Sequence, residues 1–121
     1  MARDIQLICA SGEVEEGGKG ARFSLDVAGR EVAAFVVRFD GAVHAYVNCC
    51  PHAGTELDWQ PGEFFDSSGL YLICATHGAM FAPDSGDCVG GPCRGRRLTQ
   101  IPIEERDGVI CLIKGFTIHG E

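Results

Sequence analysis

Apolar and polar positions alternate over short segments of this chain, which is the pattern of β-strands with one buried face. Two candidate strands cover Ala21–Val27 and residues 31–39, and they are joined at Gly29-Arg30. Apolar side chains also alternate with polar ones over residues 43–48, and this predicts a third, half-buried strand.

Three shorter apolar segments extend the pattern over residues 70–74, 97–103 and 109–114. Asp40-Gly41 and Asp107-Gly108 predict tight hairpin turns, because glycine tolerates a positive φ. No segment shows a sustained helical period with capping residues. The pattern therefore predicts an all-β fold, a small antiparallel sandwich or barrel.

The composition is that of an ordinary globular protein, with 45% hydrophobic and 22% charged residues. A length of 121 residues predicts a single domain over residues 1–121. The net charge of −7 argues against nucleic-acid binding, which needs a basic surface. No window approaches the ~18 consecutive apolar residues of a membrane span, so we expect none.

Cysteine is unusually frequent, with seven residues in the chain. An odd number of cysteines cannot all pair in intramolecular disulfides. The first residues, 1–5, lack the apolar core of a signal peptide. We therefore expect a cytoplasmic protein, in which cysteines are more often metal ligands or buried thiols than disulfides.

Two short motifs each combine a cysteine with a histidine. Cys50-Pro51-His52 and Cys74-Ala75-Thr76-His77 lie in the long irregular stretches 49–69 and 75–96. Long loops in a compact domain are usually functional or disordered, and the cysteine and histidine content favours function. Two thiolates and two imidazoles can bind zinc tetrahedrally, or a [2Fe-2S] cluster with both thiolates on one iron and both imidazoles on the other.

The motifs extend beyond these four residues. Cys50-Pro51-His52-Ala53-Gly54 and Cys74-Ala75-Thr76-His77-Gly78 resemble the two ligand loops of the Rieske iron–sulfur family. The turn Pro83-Asp84-Ser85-Gly86 follows as it does in that family, and Gly90-Gly91-Pro92 resembles the family's third loop, which covers the cluster. The resemblance extends over residues 5–114.

The resemblance implies a Rieske-like antiparallel β-sandwich of three small sheets, with two ligand-bearing loops at one end. It also implies one [2Fe-2S] cluster per chain, with Cys50 and Cys74 as thiolate ligands and His52 and His77 as imidazole ligands. A chain of this kind passes single electrons and carries no catalytic residue of its own.

Several positions differ from the Rieske proteins of respiratory complexes. Thr55 and Thr76 stand where those proteins carry a pair of disulfide-forming cysteines, and Ala79 and Phe81 replace a serine and a tyrosine near the cluster. In these respects the chain is similar to the soluble Rieske ferredoxins. Extra residues, 59–69, lengthen the interval between the ligand motifs; a tolerated surface insertion is favoured over a partner contact.

The resemblance implies that redox proteins are the partners. A ferredoxin that carries electrons from a reductase to a terminal oxygenase is the favoured function. The alternative is a small electron-transfer subunit of a reductase complex of the nitrite-reductase type, and a zinc-stabilised binding module is a third possibility. A complete Rieske oxygenase is not expected, because 121 residues leave no room for its mononuclear-iron domain.

The remaining cysteines have simpler interpretations. Cys49 points away from Cys50 in an extended chain, so a non-ligand thiol is expected. Cys88 and Cys93 flank the third loop, and free thiols are favoured over a disulfide in a reducing compartment. Cys9 and Cys111 lie in apolar segments and are expected in the core.

A basic cluster follows the third loop. Arg94, Arg96 and Arg97 stand together in an otherwise acidic chain. The favoured interpretation is a solvated surface, and the alternative is a patch that orients an acidic partner. His44 and His119 lack the spacing of a ligand motif.

Overall fold

The structure is a computed structural model, and it describes residues 5–27, 29–50, 56–58, 60–74, 78–91 and 95–113. Ten strands form three antiparallel sheets, and the described helical structure is one 3₁₀ turn, Ser11–Glu13. This confirms the all-β prediction and the arrangement of three small sheets. None of the described helical segments has the length and apolarity needed to cross a membrane.

The strands are numbered in chain order. The first sheet has the order β1-β10-β9, the second β2-β3-β4-β8 and the third β5-β6-β7. The bounds are β1 Ile5–Ala10, β2 Ala21–Val27, β3 Arg30–Phe39, β4 Ala42–Val47, β5 Leu72–Ile73, β6 Met80–Phe81, β7 Cys88–Gly90, β8 Gln100–Ile101, β9 Ile103–Arg106 and β10 Val109–Ile113.

Strand β3 is buried on both faces. Phe35 and Val37 belong to one hydrophobic core, and Ala34 and Val36 belong to the other. The first, the site core, also contains the buried residues of the third sheet and of the loops near it. The second, the scaffold core, contains Ile110 and other buried side chains of the first sheet. The second sheet, here called the central sheet, therefore has an apolar layer on each side.

The half-buried pattern expected for β4 is wrong, because both faces of the strand are buried at its end. Ala45 is 1% exposed and faces the scaffold core, while Tyr46 is 0% exposed and lies in the site core. The Tyr46 hydroxyl donates a hydrogen bond of 2.7 Å to the carbonyl of Pro83. Burial raises the pKa of Tyr46, so the hydroxyl stays protonated. The hydroxyl of Tyr46 can be buried at little cost because it has this hydrogen-bond acceptor.

Two other segments are shorter than the sequence indicates. The strand expected at 97–103 is interrupted at Pro102, which has no N–H for a sheet hydrogen bond. The strand expected at 70–74 is reduced to β5, and Leu70 is exposed. The irregular stretch 75–96 contains β6 and β7, which pair with each other.

Both predicted hairpin turns are present. Asp40 and Gly41 have φ values of 55° and 80°, and Asp107 and Gly108 have φ values of 54° and 81°. Two successive residues with positive φ are the signature of a type I′ turn, whose twist matches that of the flanking strands. The Asp-Gly pairs therefore set the register of β3 with β4 and of β9 with β10.

The extra residues between the ligand motifs are not merely a surface insertion. Phe64 and Phe65 are 0% and 7% exposed and lie in the site core. The ring of Phe64 stacks on that of Phe35, with centroids 4.1 Å apart and planes 13° from parallel. The interpretation as a tolerated surface loop is therefore wrong for this part of the segment. Trp59 lies outside the described residues.

Gly86 requires glycine both for its backbone conformation and for lack of space. Its φ is +80°, and a Cβ there would lie 2.8 Å from Cε1 of Tyr46. That ring cannot easily move, because it is buried and held by its hydrogen bond to Pro83. Left-handed backbone strain costs about 1–2 kcal/mol for a non-glycine residue, and overpacking adds about 1–3 kcal/mol.

We predict that Gly86→Ala lowers the free energy of unfolding by about 2–5 kcal/mol. Gly29→Ala is the matched control, because Gly29 has a φ of +82° but no atom within 4 Å of the point that a Cβ would occupy. The control isolates backbone strain, and it should cost about 1–2 kcal/mol. Equal losses for the two variants in chemical denaturation would show that the contact with Tyr46 contributes nothing.

Candidate metal centre

Two of the four predicted ligands are described, and both are buried. Cys50 follows β4 and Cys74 follows β5, and each residue is 1% exposed. Both belong to the site core, so the fold brings together two thiols that are distant in sequence. Cys49 is exposed, as alternation along an extended chain predicts. His52 and His77 lie outside the described residues.

Asn48 ties together the two ends of the first loop. Its backbone N–H donates to the carbonyl of Ala33 at 2.8 Å, which attaches the loop to β3. Its side-chain Oδ1 accepts the backbone N–H of Leu57 at 2.8 Å, and its Nδ2 donates to Asp58 at 3.2 Å. Asn48 is 3% exposed, so these bonds are shielded from water. The loop that carries Cys50 is therefore closed by a buried amide.

Asp58 extends this network to the surface. Its Oδ2 accepts the backbone N–H of Gly62 at 3.1 Å and lies 3.4 Å from Nε of Arg22. The side chain of Asp58 is 2% exposed, so the charge needs these partners. Arg22 also donates to Glu56 at 2.7 Å. Asn48 and Asp58 are polar residues near the site that the ligand motifs do not reveal. For Asn48 the sequence signal is a polar side chain directly after an apolar strand, and Asp58 has no comparable signal.

The second loop is closed by its own backbone. The N–H of Cys74 donates to the carbonyl of Ala79 at 2.8 Å, and the N–H of Gly78 donates to the carbonyl of Cys74 at 3.0 Å. These bonds fix the positions of Cys74 and Gly78, the described residues on either side of positions 75–77. They also occupy two N–H groups close to the Cys74 thiol, which are then unavailable to other acceptors.

The third loop lies directly against the second. Gly91 has a φ of +82°, and a Cβ there would be 2.9 Å from the Cα of Ala79 and 3.0 Å from the carbonyl oxygen of Gly78. Only a residue without a side chain permits this approach. The start of the predicted covering loop, Gly90-Gly91-Pro92, is thus beside a ligand loop, while Pro92 lies outside the described residues.

The other cysteines differ from one another. Cys88 is disulfide-bonded, so the expectation of a free thiol at this position is wrong. Cys93 lies outside the described residues. Cys9 and Cys111 are only partly buried, in β1 and β10. Burial raises the pKa of the Cys9 thiol, and Glu13 adds to the effect. Cys9 packs at the edge of the scaffold core, whereas Cys111 alternates with the buried Ile110 and Leu112, so the expectation that both lie in the core is wrong for Cys111.

The basic cluster is exposed where it is described. Arg96 and Arg97 are exposed, and Arg97 lies 2.6 Å from Asp87 in an ion pair whose side chains are 69% and 49% exposed. Exposed pairs of this kind contribute little to stability. Arg94 lies outside the described residues. The arginines therefore remain accessible from solvent, next to β7.

The chemistry of the donor set fits an iron–sulfur site. Two buried thiols lie at the ends of β-strands, and each is followed in sequence by a histidine. The surrounding apolar side chains, such as Leu57, Ala79 and Phe81, are all 0% exposed and keep water from the thiols. Thiolates are soft ligands that suit zinc and iron–sulfur clusters, so this donor set by itself is compatible with either.

Comparison with known structures gives the fold. The chain matches a chain from a complex of reduced oxygenase and oxidized ferredoxin in carbazole 1,9a-dioxygenase, with 19% identity, a TM-score of 0.71 and coverage of 99% of this chain and 100% of that one. It also matches the ferredoxin of carbazole 1,9a-dioxygenase from Nocardioides aromaticivorans IC177, with 22% identity, a TM-score of 0.67 and coverage of 89% and 95%.

Larger proteins contain the same fold as one part. The terminal oxygenase of carbazole 1,9a-dioxygenase from Novosphingobium sp. KA1 matches with 23% identity and a TM-score of 0.70, and the match covers 98% of this chain but 31% of that one. The chain thus spans about a third of the length of such oxygenases. No curated protein sequence gives a significant match.

The sequence itself carries the family signal. The sequence model of the Rieske [2Fe-2S] domain matches residues 4–112, which include both ligand motifs and every described strand except the last residue of β10. The three-sheet fold and the burial of Cys50 and Cys74 in one core agree with this match. The chain therefore belongs to the Rieske family, whose domain binds a [2Fe-2S] cluster.

Proposed function

We propose that this chain is a one-electron carrier of the ferredoxin type that feeds an oxygenase. In this proposal Cys50 and Cys74 hold one iron of a single [2Fe-2S] cluster, and His52 and His77 hold the other. The observation that carries the proposal is the burial of both cysteines in one core of a Rieske domain, each at the start of a loop that contains a histidine.

The structural match over nearly the whole of a ferredoxin supports a carrier function for this domain. The chain covers 95% of the Nocardioides ferredoxin and 31% of the Novosphingobium oxygenase. A single domain over residues 1–121 is therefore part of the proposal. Its partners are a reductase that donates electrons and a terminal oxygenase that accepts them.

A bound cluster of this type supplies a site for one reversible electron. The surrounding protein sets the reduction potential of the cluster. Two thiolates and two neutral imidazoles leave the oxidised site formally neutral, so reduction adds a charge that the protein must stabilise. Leu57, Ala79 and Phe81 surround the site with apolar groups, which solvate a negative charge poorly. Asn48 holds the first loop and Gly91 allows the third loop to approach.

Location in the cytoplasm is also part of the proposal. It rests on the frequency of unpaired cysteine, since Cys9, Cys49 and Cys111 are free thiols. The disulfide at Cys88 is the observation against it, because disulfides persist mainly in oxidising compartments. Alkylation of Cys88 in freshly lysed cells would support the cytoplasm, and complete protection of Cys88 from alkylation would favour an oxidising compartment.

The four proposed ligands should each be required for the cluster. We expect Cys50→Ser, His52→Ala, Cys74→Ser and His77→Ala to abolish the visible absorption and the acid-labile sulfide of the purified protein. Cys49→Ser and Cys111→Ser are matched controls, because these thiols are free and outside the ligand set. Wild-type protein that contains zinc and no sulfide after anaerobic purification would contradict the proposal and favour a zinc-stabilised module.

We expect Asn48 to act as a positioning residue: by holding the first loop closed, it slows the release of the cluster. Asn48→Ala leaves the buried N–H of Leu57 without its acceptor, which typically costs about 1–3 kcal/mol. We expect cluster release at elevated temperature to become several-fold faster, with the visible spectrum of the loaded protein unchanged. Ser68→Ala is the control, because it also removes two hydrogen bonds but in an exposed turn. Equal release rates in the two variants would assign Asn48 no role at the site.

The reduction potential should lie in the lower part of the Rieske range. Ala79 and Phe81 have no side-chain donor, and the N–H groups of Cys74 and Gly78 are bonded to backbone carbonyls. Few donors then stabilise the reduced site, so we expect a negative potential, nearer about −150 mV than zero.

Adding hydroxyl groups should reverse this effect. We expect Ala79→Ser combined with Phe81→Tyr to raise the potential, measured by protein-film voltammetry. Phe23→Tyr, which adds a hydroxyl beside the scaffold core, should leave it unchanged. A wild-type potential well above zero at neutral pH would show that the missing donors do not set the energy of the electron.

A further inference from the structure

One groove in the described part of the chain borders a proposed ligand. It has a volume of about 720 Å³, and its lining includes Cys74 and the adjacent Gly78. The apolar part of the lining is formed by Phe65, Ile73 and Met80. A molecule seated in this groove would lie against the residue that begins the second ligand loop.

One wall of the groove comes from the extra segment between the ligand motifs. Glu63, Phe65, Asp66 and Ser67 belong to this segment and line the groove. Phe65 anchors the wall, because it forms a β-bridge with Leu72 and lies in the site core. The segment therefore does two things: it completes the core, and it builds one side of a groove.

The described lining of the groove carries negative charge. Among the described residues that line it, Glu63 and Asp66 are the charged ones, and neither belongs to an ion pair within the described part of the chain. Lys19 packs against Gly62, the residue before Glu63, but it does not line the groove. An occupant with a positive charge is therefore favoured.

Exposed apolar side chains lie beside the groove, and a small ion alone would not cover them. The N–H of Asp66 donates to the carbonyl of Tyr71 at 2.9 Å and closes a turn on which Leu70 is 54% and Tyr71 39% exposed. Exposed apolar side chains next to an acid-rimmed groove are typical of a surface that binds another protein. The turn and the groove together form a continuous surface, here called the Cys74 face.

We propose that the Cys74 face docks a basic redox partner, one that presents a lysine or arginine beside an apolar side chain. The cationic group pairs with Glu63 and Asp66, and the apolar group enters the groove over Ile73. This inference rests on the proposed electron-carrier function and deepens it, since it assigns the partner's chemistry.

Cytochrome c, a basic haem protein, is a suitable probe. The cluster-loaded protein is reduced chemically, and its second-order oxidation by cytochrome c is followed by stopped flow at low and physiological ionic strength. Glu63→Gln with Asp66→Asn should slow the reaction by about fivefold at low ionic strength and flatten its salt dependence. The amide oxygen at position 66 can still accept the hydrogen bond that the Ser68 hydroxyl donates to Asp66, so we expect the turn to be retained.

Two further variants separate docking from general charge. Glu13→Gln with Asp107→Asn removes the same charge from exposed positions beside the scaffold core, and it should change the rate by less than about twofold. Ser67→Trp fills the groove and keeps its charges, so it should slow the reaction at both ionic strengths. Ser67→Trp changes no charge, so it should leave the reduction potential unchanged. The double variant of the two groove acids removes negative charge near Cys74, which raises the potential, so the rates are compared after correction for the measured driving force.

The outcomes separate this inference from the proposed function. Equal rates in the groove variants and the charge control would overturn the docking surface. A protein that lacks the iron–sulfur spectrum, or that exchanges no electron with hexacyanoferrate(III), would instead refute the carrier function. Oxidation by cytochrome c that is slower in both groove variants than their measured potentials explain would support the Cys74 face as the docking site.

Discussion

The burial of β3 on both faces is the constraint on which the rest of the structure depends. Its side chains alternate between two cores, so neither layer can form without the central sheet. The scaffold core is purely structural. The site core has the added task of holding Cys50 and Cys74, and it receives them from loops rather than from β3 itself. This division lets the ligand loops vary while the scaffold is retained.

Polar groups inside the site core hold those loops. Tyr46 reaches the carbonyl of Pro83, and Asn48 reaches the backbone of Leu57 and the carboxylate of Asp58. Buried polar groups are costly unless they are bonded, and here the two side chains join the end of β4 to two different loops. These bonds fix the positions of the loops. Burying the donors costs little free energy, because each of them has an acceptor.

The sequence predicts most of the strands and the paired motifs because these have local causes. Strands such as β2 and β3 follow from alternation, and the Asp-Gly turns follow from backbone sterics. The double burial of β4 cannot be read locally, because Tyr46 and Asn48 are polar and their partners are distant in sequence. The same holds for Phe64, whose partner Phe35 precedes it by many residues. The ligand roles of His52 and His77 remain predictions.

The stack of Phe64 on Phe35 links the length of one loop to the size of a residue in a strand. A relative with a shorter interval between its ligand motifs would lose the ring of Phe64, and a void of that size in a close-packed interior is costly. Such a relative must fill the space from another side, with a bulkier residue on β3 or a different third sheet. Loop length and the composition of the site core are therefore coupled, and grafting the ligand loops of one relative onto another requires that the site core be exchanged with them, while the scaffold core can stay.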